Sequence, residues 1–319
     1  MGIPKIPIKK PSSAPVTEQA PTPETPPANV PQQHPSSAPT MAPQVSAPKP
    51  APSAPKPPVS RSGILSRAKS VSQVSLDNLC IMINGNYGSG KTTLAATGPK
   101  PMLVLDVREE GTKSIFNVEG VDVLPIKSWA DVSPENPESI YYALKNTDHG
   151  YKTIVFDTMT QLQNMAMEKV LEGTNKTLED KLWQEWGAVN KMMTFLVLAY
   201  KELPLTKIFL CQERLNNNEG KAAEQLNPMF GPALSPGGSL GICPAMDVIG
   251  HIIIDESPVI INNKPVSKIQ HKLQLRESRN FLAKTRKPKE FEAPKYIVDA
   301  SYDDIIAVIK GVYKESAKA

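Results

Sequence analysis

Gly85-Asn86-Tyr87-Gly88-Ser89-Gly90-Lys91-Thr92 is the stretch whose reading decides the fold of this 319-residue chain. It follows an apolar run, Leu79-Cys80-Ile81-Met82-Ile83, with the length of a buried strand, and it precedes Thr93-Leu94-Ala95-Ala96, which opens a helix. Strand, Gly-rich loop and helix in that order make a phosphate-binding P-loop. Its glycines let backbone N–H groups turn inward around a phosphate at a helix N-terminus, where partial positive charge favours an anion. Lys91 reaches the outer phosphates and Thr92 offers its hydroxyl to Mg²⁺, a hard cation that takes few protein ligands. The expected ligand is a nucleoside triphosphate held by Gly85, Asn86, Tyr87, Gly88, Ser89, Gly90, Lys91, Thr92 and Thr93. No clear Asn-Lys-x-Asp segment that would read guanine is present, which favours ATP modestly.

Working outward, Met102-Leu103-Val104-Leu105-Asp106 reads as a second buried strand that ends in Val107-Arg108-Glu109-Glu110-Gly111. A carboxylate at the C-terminal end of such a strand can orient and deprotonate a water, so Glu109 or Glu110 is a candidate base; the plainer reading is a solvated acidic turn. A third strand is expected over residues 121–125 and a helix over 137–145. Thr153-Ile154-Val155-Phe156-Asp157-Thr158 is an apolar strand ending in an acid, and Asp157 is expected to hold the Mg²⁺ shell from the strand next to the P-loop.

Helical periodicity runs through residues 161–171 and 178–203. Most of its aromatic and Met side chains read as core, but Trp183 and Trp186, one turn apart, share a face on which bases could stack. Lys207-Ile208-Phe209-Leu210-Cys211 is a further strand, ending in Gln212-Glu213-Arg214. Residues 215–246 lose periodicity and gather Asn, Gly and Pro, as a functional loop would. Strands are expected at 247–255, 271–276 and 280–283, the last leading into Lys284-Thr285-Arg286-Lys287, and an amphipathic helix at 302–313.

Composition divides the chain. Eighteen of its 32 prolines fall in residues 1–58 among Ala, Ser, Thr and Gln, so residues 1–71 are expected to be a disordered tail and 72–319 the folded domain. Residues 1–70 carry eight Lys/Arg against two Asp/Glu; with a net charge of +4 overall, the tail holds +6 and the remainder −2. A near-neutral domain does not advertise nucleic-acid binding, so such binding has to rest on local loops or the tail. The tail is equally suited to docking a protein partner. Three scattered cysteines make neither a disulfide framework nor a metal knuckle, and no stretch suits a signal peptide or membrane span; a cytosolic protein is expected.

Residues from about 77 to 311 resemble a RecA-like ATPase core, most closely the phage-encoded RecA-like ATPases of recombination and single-strand annealing. The resemblance rests on the order of Gly85–Thr92, residues 153–158, Gln184-Glu185-Trp186-Gly187-Ala188-Val189 and Ile208-Phe209-Leu210-Cys211-Gln212-Glu213-Arg214. It implies an α/β fold with a largely parallel central sheet flanked by helices and an antiparallel edge. It implies hydrolysis of Mg·ATP, with Gln212 reading the γ-phosphate and a Gly-rich loop gripping single-stranded DNA through Arg214, Met229, Phe230, Gly237 and Gly238. It further implies self-association, with Lys284 and Arg286 as cations given across a subunit boundary. The family strand ends Asp-x-Glu, whereas Arg108 occupies that Glu position here. A helicase or translocase, a non-hydrolysing adaptor and a protein-remodelling ATPase recruited through the tail are the competing readings.

Overall fold

The computed structural model of the chain describes residues 63, 66, 76–108, 111–177, 180, 183–215, 230–261 and 264–315. The expectations at Glu109, Glu110 and Met229, and those for residues 1–62 of the tail, lie outside the described residues. The chain divides into two units, Met1–Ser66 and Arg67–Ala319, and the sheet with its covering helices belongs to the second.

Alternation along the strands builds the sheet. In β1 (Cys80–Gly85), Cys80 and Met82 face one core while Ile81 and Ile83 face the other, and all four are buried. The same split recurs in β2 (Met102–Val107), β4 (Thr153–Asp157) and β5 (Thr206–Leu215), where Phe209 and Cys211 join the first core and Ile208 and Leu210 the second. A strand buried on both faces reads as a continuous apolar run and belongs in a parallel sheet covered by helices on each side. With β3 (Val121–Ile126), β7 (Val248–Ile261), β8 (Lys264–Gln274) and β10 (Ile297–Val298), the order is β10-β8-β7-β1-β5-β4-β2-β3. From β3 to β7 every pairing is parallel; β8 and β10 add the expected antiparallel edge.

Helices α2 (Ile140–Asn146), α3 (Met159–Leu171) and α4 (Trp183–Lys201) cover the first face; α1 (Lys91–Ala95) and the last helix cover the second. In the first core, Phe156 stacks on Phe209 with centroids 5.0 Å apart and meets Tyr200 edge-on at 4.9 Å. The fully buried Tyr200 hydroxyl donates to the Val132 carbonyl at 3.1 Å.

Three expectations are corrected. Asp157 does not end the strand beside the P-loop strand: β5 lies between β1 and β4, hydrogen-bonded to both. The segment expected to be an irregular loop contains β6 (Phe230–Pro232), paired with β5, and helix α5 (Pro236–Ile242). Ser235 caps α5 by accepting from the Gly238 N–H, and Pro236 takes the first helical position; Gly237 and Gly238 lie in this first turn and face Asn190 of α4. Residues 280–283 do not form the expected strand; β9 is Lys284–Thr285, and Phe281 only bridges to Phe230. The last helix, α6, spans Tyr302–Lys310 and starts at a capping box of Ser301 and Asp304. Among the described residues, no helix is long and apolar enough to cross a membrane.

Replacing Tyr200 by Phe leaves the buried Val132 carbonyl without its partner, and the expected loss is about 1–2 kcal/mol of unfolding free energy. Urea unfolding checks it: the midpoint should fall while the slope is unchanged.

Candidate nucleotide-binding site

The site is assembled at the C-terminal ends of β1, β5 and β4. Gly90, at φ +88°, turns the loop into α1 in the left-handed region that a side chain would strain. Lys91 Nζ donates to the carbonyls of Gly85 (3.0 Å) and Asn86 (2.8 Å) and is buried; burial lowers its pKa, against the opposing pull of the Asp157 charge. Thr92 Oγ1 donates to Asp157 Oδ2 at 2.7 Å. These are the two side chains expected to share Mg²⁺, and they meet across a 65-residue separation in sequence.

Gly111 closes the far side. A Cβ there would sit 2.4 Å from Asp157 Oδ2, so only a glycine lets the backbone pass this close to the carboxylate. The turn is held by Thr112 Oγ1, which donates to Asp106 Oδ2 at 2.7 Å, and Asp106 lies directly beside Asp157 in the β2–β4 register. Gln212 is opposite Gly85 in the β1–β5 register, with its N–H on Thr160 Oγ1 at 3.1 Å. Residues 87–93 with Gly111, Ser114, Asp157, Thr158 and Gln212 line a cleft of about 280 Å³. Ser89 Oγ and Gln212 Oε1 are buried there with no partner among the described residues. Buried polar atoms are normally satisfied, so a polar ligand with its water shell fits this lining, as a triphosphate and Mg²⁺ do.

A sequence comparison agrees with the geometry. The AAA-domain family AAA_24 matches residues 77–287. The chain belongs to this family. No curated protein matches it. The match starts just before β1 and ends just after β9, so it takes in the P-loop, Asp157 and Gln212 and leaves α6 outside. This AAA_24 chain is thus a P-loop ATPase by family, a class that binds nucleotide.

The structure brings together Lys91, Thr92, Asp157 and Gln212 but not every expected residue. Arg108, at the position where the RecA-like pattern has its Glu, turns away at φ +69° and pairs with Glu168 of α3 at 2.5 Å. Lys284 and Arg286 sit at the N-terminal end of β7, the end of the sheet opposite the P-loop. Lys284 Nζ donates to the carbonyls of Cys243, Pro244 and Met246, and Arg286 pairs with Asp247 at 3.0 Å. They are engaged within their own chain instead of standing as free cations. Phe230 is not an open wedge: its N–H and carbonyl bond to Asn280 and Leu282, and its ring stacks on Phe281 with centroids 5.6 Å apart. Arg214 lies in a separate cleft beside Trp183 and Trp186.

Sequence reasoning missed a polar cluster beneath the loop. The adjacent strands β5, β1 and β7 place Glu213, Asn84 and His251 together. Asn84 Nδ2 donates to the Gly250 carbonyl at 3.0 Å, so its Oδ1 faces His251 and the imidazole donates from Nδ1, at 2.5 Å. Nε2 faces Glu213 Oε2 at 3.1 Å, and Phe281 covers the ring at 4.3 Å. Burial, with the Lys91 charge, pushes the His251 pKa down to about 4, and burial raises that of Glu213. His251 is thus held neutral, with Nε2 turned toward the Glu213 carboxyl. The only sequence signal was a His within Val-Ile-Gly-His-Ile-Ile-Ile, residues 248–254. Also unforeseen is a cleft of about 300 Å³ that shares Ser89, Gly90 and Thr93 with the first and is walled by Ile252, Leu273 and His271, whose Nδ1 donates to the Ser89 carbonyl at 2.9 Å.

This geometry has two measurable consequences. A histidine neutral in the fold and ordinary when unfolded takes up protons only on unfolding between about pH 6.5 and 4, so its share of stability falls as pH falls through that window. Glu213, with its raised pKa, contributes the opposite slope above its unfolded value. The stability difference between the parent chain and His251→Gln should therefore change with pH between 7 and 4.5, shrinking toward acid, as urea unfolding at several pH values will show. Gly111→Ala drives a methyl into the Asp157 carboxylate and should weaken Mg²⁺-dependent nucleotide binding about tenfold or more, read by titration calorimetry.

Proposed function

We propose that this chain hydrolyses Mg·ATP and couples it to single-stranded DNA, in recombination, repair or replication of the phage type. The observation that carries the reading is the placement of Gln212. It lies on β5, the strand between the P-loop strand and the Asp157 strand, lines the phosphate cleft with a buried unpaired amide oxygen, and is followed two residues later on the same strand by Arg214 in a second cleft. A residue so placed senses the outermost phosphate and sits on the element that leaves for the other cleft.

The P-loop N–H groups and Lys91 hold the phosphates, and the base and ribose extend into the adjoining cleft walled by Ile252, Leu273 and His271. Thr92 and, through water, Asp157 would hold Mg²⁺, which neutralises charge on the β- and γ-phosphate oxygens. Glu109 or Glu110, next after Arg108, is the proposed base that orients the attacking water. One observation favours a second reading, a nucleotide-binding adaptor without turnover: Arg108, where the pattern has its acid, is committed to Glu168.

Steady-state ATP hydrolysis with and without a single-stranded oligonucleotide, at low and moderate salt, tests both. Turnover raised by the oligonucleotide and reduced about a hundredfold or more in Lys91→Ala, with an unchanged circular-dichroism spectrum, is the expected result. ATP binding without turnover supports the adaptor. Turnover indifferent to DNA removes the single-strand part of the proposal.

A further inference from the structure

Phe230 is stacked inside the fold, but a second aromatic pair is open. Trp183 and Trp186, one turn apart at the start of α4, line a cleft of about 530 Å³ together with Arg214 and Asn190. Trp183 is 85% exposed, the most exposed large apolar side chain among the described residues, while Trp186 is half-buried against the first core. One ring thus offers a free face and the other a fixed wall. The volume falls within the range of sites that enclose a small organic group.

The floor is a bonded polar frame. Gln163 Oε1 accepts from the Ser235 N–H at 2.7 Å, Ser235 Oγ is bonded to Asn190, and the Gly238 N–H donates to Ser235 Oγ at 3.0 Å. Each group in this frame is ordered by a neighbour, so the polar floor of the cleft is set before a ligand enters. Glu185, between the tryptophans in sequence, is outside the cleft lining and has Oε1 ion-paired with Lys176, while Arg214 is the cation of the lining. The cleft is also joined to the nucleotide site through shared elements. Arg214 follows Gln212 by two residues on β5, and Gln163 follows Thr160, the partner of the Gln212 N–H, by one turn of α3.

We propose that the cleft of Trp183, Trp186 and Arg214 receives an unpaired nucleobase of a single strand, with the base on the Trp183 face and Arg214 toward the phosphate. This rests on the single-strand reading of the function and adds the residues that make the contact. Every base has a π-face, so stacking on indole tolerates sequence, and a guanidinium beside it supplies attraction to the backbone. Aromatic grooves also take Pro-rich peptides, but the chain's own Pro-rich tail carries +6 and would bring like charge to Arg214, whereas a polyanion brings the opposite charge.

The test uses the full chain and fluorescein-labelled oligo(dT) and oligo(rU), with anisotropy for affinity and tryptophan emission for contact. Trp129 is buried, so quenching of emission reports on Trp183 and Trp186. Expected are quenching on binding, a loss of affinity of about tenfold to a hundredfold in Trp183→Ala, and partial recovery in Trp183→Phe. Arg214→Ala should lower the slope of log affinity against log salt by about one. Because Trp183 is exposed, its variants should keep the parent unfolding midpoint, which separates lost contact from lost fold. If the parent chain binds the oligonucleotide and Trp183→Ala binds it equally well, the cleft assignment is overturned while the single-strand reading stands. If the parent chain binds neither oligonucleotide at low salt, both fall. Quenching by a synthetic peptide of residues 20–58 that an oligonucleotide fails to displace overturns the nucleobase as occupant.

Discussion

The insertion of β5 between β1 and β4 is the constraint on which the rest of the site depends. Its parallel ladders to both neighbours set Gln212 opposite Gly85 and hold the P-loop strand and the Asp157 strand one strand-width further apart than direct pairing would. The P-loop helix then has to reach over β5, and it does so through Thr92, whose hydroxyl bonds to Asp157. The cleft lined by the P-loop, Gly111, Asp157 and Gln212 lies over this gap, and the strand filling its floor is the one that carries Gln212.

Strand ends at this edge of the sheet are polar while strand middles are apolar, and the polar groups answer one another across strands. Asn84, His251 and Glu213 come from three adjacent strands to one face, while Asp157 ends the next strand and Asp106 lies one residue from the end of the one after it. Burying such groups singly is costly, and burying them hydrogen-bonded is not, so each is oriented by another before any ligand arrives. Asp106 acts through Thr112 on the turn that brings Gly111 against Asp157. His251 is fixed by Asn84 and roofed by Phe281, which in turn stacks on Phe230 at the start of β6. The nucleotide end of the sheet is thereby packed against the segment that emerges from β5.

Much of this was legible in the chain itself. The P-loop could be read because its chemistry is local: eight consecutive residues supply the backbone amides, the lysine and the hydroxyl. The central strands could be read because a run apolar at every position has to be covered on both faces. Helix α5 was hidden because its first turn, Pro236-Gly237-Gly238, has loop composition, and it is helical because Ser235 caps it and α4 packs over it. The β7–β8 pairing continues past the buried residues 251–252 to where Ile254, Glu256 and Pro258 are exposed, since cross-strand hydrogen bonds do not require buried side chains.

By itself the sequence determined that this protein has a phosphate-binding loop between a strand and a helix, a parallel sheet covered on both sides, and an acid at the end of a later strand. Only the tertiary structure decided which strand separates the loop from that acid, that Phe230 is stacked inward while Trp183 is open, and that Lys284 and Arg286 are bonded at the far end of the sheet. The physical reason is locality. Backbone geometry and two-faced burial are properties of consecutive residues, whereas the order of parallel strands, and with it which side chains become neighbours, is set by pairings between segments far apart in the chain.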